Sequence, residues 1–184
     1  MSLPWAILLA NGVSSEEEQM QDWHDFFLAQ AGAAGVLTGL VFVGVSINLQ
    51  KIVSDPSSGL AGRAAEALIL LVAVLIASTL LLVPGQGTTL IGIEILVVAL
   101  ATWGWIVAIQ SLRLKNWATM EPGLHKPFIL RVVVAQVGTL PFVAAGIFIL
   151  AEGLGGLYWL VAGTIFSILA ALFDAWVLLV EINR

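Results

Sequence analysis

Five long apolar runs divide this chain, at residues 26–49, 64–83, 89–111, 128–150 and 157–180. Each is near or above the roughly 20 residues that an α-helix needs to cross about 30 Å of hydrocarbon. None alternates apolar and polar residues at period two, so the pattern argues against strands and a closed barrel. An unpaired backbone amide is costly in hydrocarbon, and a helix satisfies its own amides within the segment. The runs are parted by stretches rich in turn formers: Lys51 to Arg63 with Pro56, Ser57, Ser58 and Gly59; Pro84-Gly85-Gln86-Gly87; Leu112 to Pro127; and Glu152-Gly153-Leu154-Gly155-Gly156. The expected fold is all-α, a polytopic transmembrane bundle of five spans forming a single domain over residues 1–184. Composition points the same way: 60% of residues are hydrophobic, 10% are charged and the mean hydropathy is +1.04, whereas a soluble domain carries about 25% charged residues.

Short cytoplasmic loops retain Lys and Arg, which sets the orientation. With the N-terminus outside, Lys51, Arg63, Arg113, Lys115, Lys126, Arg131 and Arg184, all seven basic residues, fall on the cytoplasmic side. Glu16, Glu17, Glu18, Asp22, Asp25 and Glu152 then form an acidic outer rim. Four or six spans would break this separation. The expected location is a bacterial cytoplasmic (inner) membrane, with the C-terminus inside.

Residues 1–13 hold an apolar run, Leu3 to Leu9 with Pro4 and Trp5, that is too short to span. It lacks the basic leader of a secretory signal, so it is expected to lie in the outer interface or to pack on a neighbouring subunit. Ser14 and Ser15 precede Glu17 and Glu18 by the capping-box spacing. A first helix over 16–50 is therefore expected, projecting about two turns beyond the membrane.

Within the spans, small residues mark faces for close helix contact. Gly32, Gly35, Gly39 and Ser46 share one face of the first span; Gly163, Ser167 and Ala170 share one of the fifth; Ala101, Gly104 and Ala108 share one of the third. Such faces meet either within one subunit or, for the first span, across a homo-oligomer or around a pore.

Ionisable residues inside a span are costly and turn toward protein or water. Glu66, Arg131 and Asp174 lie within about two turns of the cytoplasmic ends of their helices, where two carboxylates around one arginine make an intramembrane ion pair or a proton-handling step. Near the outer side, Glu94 has no basic residue to pair with. It is either protonated or faces a wet cavity or a cation. With Asp22, His24 and Asp25 it is a weak metal candidate, because the spacing matches no metal signature. No cofactor is expected.

Trp5, Trp23, Trp117, Tyr158 and Trp159 are placed as interfacial anchors, and Trp103, Trp105 and Trp176 as deeper packing. Pro141, between Gly138 and Gly146, is expected to kink the fourth span. His24 and His125 fall on opposite sides, cysteine is absent, and no hydrolase, zincin or nucleotide-binding motif is found, so no enzyme is expected. Dispersed basic residues argue against nucleic acid. The sequence leads to two functions. The first is a homo-oligomeric, cation-favouring pore with an acidic outer mouth and Asp25, Asn48, Glu94 and Asp174 along the ion path. The second is a non-catalytic accessory or scaffold subunit whose glycine faces bind partner membrane proteins. Lipid is a partner in either case.

Overall fold

The structure, a computed structural model, describes the backbone of residues 4–54, 59–114 and 125–182, and the side chains of these except 4–20, 22, 127, 181 and 182. Lys115, Trp117 and Arg184, and the side chains of Trp5, Glu16, Glu17, Glu18 and Asp22, lie outside the described residues. Apart from short turns, the described residues are helical: α1 (Pro4–Ile47), α2 (Leu49–Ser54), α3 (Leu60–Leu81), α4 (Thr88–Leu114), α5 (His125–Glu152), a short 3₁₀ turn (Gly153–Gly156) and α6 (Leu157–Ile182). No strand occurs among the described residues. Four segments are long and apolar enough to cross a membrane: Trp23–Ile47, Leu60–Leu81, Thr88–Leu114 and Phe128–Val180, the last containing both α5 and α6.

Helix α1 differs from the expected 16–50. It begins at Pro4, so the N-terminal apolar run is helical from that residue and Ser14 and Ser15 lie inside the helix. Proline suits the first helical position because its missing N–H has no intrahelical role there, and Trp5 to Ala10 offers nothing that breaks a helix. A capping-box spacing marks a boundary only where the residues before it cannot be helical. At the other end the break falls at Asn48, whose side-chain Nδ2 donates to the Gly44 carbonyl at 2.9 Å, a local bond that competes with the backbone ladder. Helix α2 resumes at once, with Ile52 N–H on the Asn48 carbonyl at 3.0 Å.

Helix α3 is the hub. It packs against α1, α4 and α6, while α5 joins α4 and α6 on the far side. Its buried face, Ala64, Ala67, Leu71, Val74, Ala77, Ser78 and Leu81 among others, is small enough for three neighbours to approach. Helices α5 and α6 run antiparallel, with Gly156 against Ile149, Gly163 against Phe142 and Ser167 against Gly138. A Cβ on Gly163 would stand 2.7 Å from the Phe142 ring, and the Ser167 hydroxyl donates to the Gly138 carbonyl at 2.9 Å. The small-residue face of α6 is therefore spent within the subunit. That hydroxyl sits beside the place where Pro141, lacking an N–H, leaves the Val137 carbonyl without its usual helical partner; α5 continues through the proline. Helices α4 and α5 are as close: a Cβ on Gly146 would lie 2.8 Å from the Leu96 Cα. Reversal from α5 into α6 uses Gly153 at φ 77°, a left-handed conformation that favours glycine.

The outside of the bundle is apolar. Val36, Leu40, Ile47, Val97, Trp105, Leu112, Leu169 and Trp176 are exposed, while Glu66, Arg131 and Asp174 are buried. Charge inside and hydrocarbon outside is the distribution expected of helices solvated by lipid rather than by water.

Candidate functional site

The start of α3, the ends of α4 and α6 and the start of α5 bring Arg63, Arg113, Lys126, Arg131 and Asp174 to one end of the bundle, called here the basic end. Because α3 begins at Leu60, four residues ahead of the expected 64, Arg63 is a helix residue and not a loop residue. Arg63 and Glu66 are then neighbours on the helix surface by their i, i+3 spacing. The Arg131 Nε donates to Glu66 Oε2 at 2.7 Å, with the two side chains 4% and 0% exposed. Asp174 Oδ1 accepts from Arg63 Nη1 at 3.1 Å. The cluster thus differs from two acids around one arginine: each carboxylate has its own guanidinium. Burying one charge alone would be prohibitive, and the second charge with its hydrogen bond offsets that cost.

Polar side chains extend the cluster toward the middle of the bundle. Gln110 on α4 stands beside Glu66. Gln136 on α5 donates to Gln110 Oε1 at 3.4 Å and accepts from Trp103 Nε1 at 2.9 Å. Arg113 lays its guanidinium against Gly59, and the Arg131 guanidinium lies over Gly62, 3.3 Å from where a Cβ would stand. Both approaches exist because these positions have no side chain. Sequence reasoning passed over Arg63, Gln110, Gln136 and Trp103 as partners. The available signal was two glutamines within apolar helices, since an amide in hydrocarbon needs a partner.

At the opposite end the expected residues are spread apart. Glu94 accepts a hydrogen bond from Gln86 Nε2 at 3.0 Å, so it needs neither a basic residue nor a metal to be partnered. Gln86 lies in the turn just before α4, within reach of a carboxylate less than two turns into that helix. His24 Nδ1 and Asp25 Oδ1 are 3.4 Å apart, and the Asp25 side chain is 98% exposed. Among the described residues no three of His, Cys, Asp and Glu converge as a metal site would require. Trp23 packs on Phe27 and Tyr158, fixing the head of the membrane part of α1 against α6.

Along α1 the small-residue face divides. Gly35 faces Leu75 on α3 at 3.9 Å, but a Cβ on Gly32 or Gly39 would meet nothing within 4 Å. Ser46 is exposed and its hydroxyl is turned back to the Phe42 carbonyl at 2.8 Å. Ala101, Gly104 and Ala108 on α4 also face outward rather than into the subunit. Asn48 lines an apolar groove of about 210 Å³ between α1, α2 and α6, together with Leu37, Val41, Ile52, Leu172 and Leu178. Asp25 and Glu94 lie toward one end of the bundle, and Asn48 and Asp174 toward the other. Comparison of the chain with known protein families, curated proteins and solved structures finds no match.

Proposed function

We propose that this chain is a non-catalytic membrane subunit that self-associates through the open face of α1, inserted as five spans with its N-terminus outside and its C-terminus in the cytoplasm. The observation that carries this reading is the exposure of α1. Gly32 and Gly39 have no neighbour, and Val36, Leu40 and Val43 beside them are exposed. Small residues allow two helix backbones to approach closely, which is what drives association where lipid offers no hydrophobic gain. The five-span topology is supported by the antiparallel pairing of α5 with α6. The orientation is supported by the gathering of basic residues at one end.

The cation pore is the second reading, and the exposed Asp25 at the head of α1 favours it. Between Asp25 and Asn48, however, the outward face of α1 is largely apolar, and Ser46 has turned its hydroxyl to its own helix. Such a face suits packing better than a water column.

Native mass spectrometry of the purified chain in mild detergent tests the proposal. A discrete homo-oligomer is expected, reduced to monomer by Gly39→Leu. Disulfide cross-linking of Gly39→Cys, in a chain with no cysteine of its own, should trap an α1–α1 pair. A monomer that forms no cross-link sinks self-assembly and leaves a partner membrane protein as the occupant of α1. A homo-oligomer that conducts cations in liposomes, and loses conduction with Asp25→Asn, would favour the pore instead.

A further inference from the structure

We propose that the first turn of α3 and the Arg131 guanidinium form a binding site for a phosphate-class oxyanion at the basic end of the bundle. The side chain of Arg131 is 4% exposed and spends only its Nε on Glu66. Its Nη1 and Nη2 are buried without a hydrogen-bond partner. Burying such donors unpaired is costly, so they call for a guest. Glu66 Oε1 and Gln110 Nε2 are unpartnered as well. If that amide is assigned to that oxygen, both terminal nitrogens of Arg131 remain, and only an acceptor can serve them. The forked geometry of a guanidinium matches two oxygens of a phosphate.

The surroundings fit the same guest. Nη2 and Nη1 lie 3.3 and 3.9 Å from where a Cβ on Gly62 would stand, so they point at the first turn of α3. That turn carries the positive end of a 22-residue helix and has no acidic residue in it. Arg113 reaches the same turn from α4, against Gly59, and Arg63 stands on it, bonded to Asp174. Three arginines from α3, α4 and α5 converge here beside two carboxylates. Helix α3 is about 33 Å long at 1.5 Å per residue, close to the thickness of the hydrocarbon. Its first turn therefore lies at the depth where lipid phosphates sit. A headgroup phosphate and a free phosphate ion share this chemistry.

Thermal unfolding of the full chain in detergent, with either inorganic phosphate or phosphatidylglycerol added and phosphatidylcholine as control, separates the two sources. Native mass spectrometry reads retained lipid directly. A rise in Tm with phosphatidylglycerol but not with inorganic phosphate, together with retained lipid adducts, identifies a headgroup site. A rise with inorganic phosphate identifies a free-anion site. Gly62→Ala, whose Cβ would press on Nη2 at 3.3 Å and leave the Nε bond to Glu66 in place, should lose the adduct or the shift while the variant stays folded by circular dichroism. Arg131→Lys, which keeps the charge and loses the fork, should do the same. No response of the wild-type chain to either probe overturns the proposal. An unchanged response in both folded variants overturns it too.

Discussion

Glu66 and Arg131 illustrate how a single bond can organise a membrane interior. Their side chains meet at 2.7 Å with almost no exposure, so each neutralises what the other could not bear alone. Removing one partner is therefore worse than removing both. Arg131→Leu, which leaves the Glu66 carboxyl buried without its guanidinium, is expected to destabilise the protein by about 3–5 kcal/mol. The double variant Glu66→Leu, Arg131→Leu should recover most of that loss, because well-packed apolar groups often replace a buried pair at little cost. Thermal unfolding in detergent, followed by circular dichroism, measures both. A double variant as unstable as the single one would mean that the pair contributes through something other than mutual neutralisation.

The helices use glycine in two opposite ways, and substitution distinguishes them. Gly146 lets α5 lie on the backbone of α4, with no room for a Cβ beside the Leu96 Cα at 2.8 Å. Gly146→Ala should force the pair apart and cost about 1–3 kcal/mol, the usual range for overpacking. Gly39 faces open space. Gly39→Ala should leave the isolated subunit as stable or raise its stability by up to about 1 kcal/mol through helix propensity. Unfolding midpoints of the two variants at one detergent concentration make the comparison. Equal losses at both positions would contradict the difference in packing between Gly39 on α1 and Gly146 on α5.

Across the whole molecule, apolar side chains face outward and the described basic residues gather at one end, the arrangement that positive-inside insertion requires. The lack of native cysteine allows the orientation to be read with single introduced thiols. Asp25→Cys and Lys126→Cys replace exposed side chains at opposite ends of the bundle. A membrane-impermeant maleimide is expected to label the first in intact cells and the second only after the membrane is opened. Labelling of Lys126→Cys in intact cells, with Asp25→Cys protected, would invert the topology.

The helical class and the apolar segments were legible in the sequence because hydrocarbon imposes length and composition on each helix separately, without reference to its neighbours. That Glu66, Arg131 and Asp174 lie near one end of the bundle was legible for the same reason: depth along a helix follows from residue count. Pairing was not. Arg63 takes Asp174 because α3 starts at Leu60 and its register turns Arg63 toward α6, and Gln86 reaches Glu94 through the fold of a turn. Nor could periodicity tell that the place beside Gly163 of α6 is filled by Phe142 while Gly32 and Gly39 of α1 remain open. A small-residue face has the same pattern whether or not another helix covers it, and only the tertiary arrangement of the helices decides which face is left for a partner.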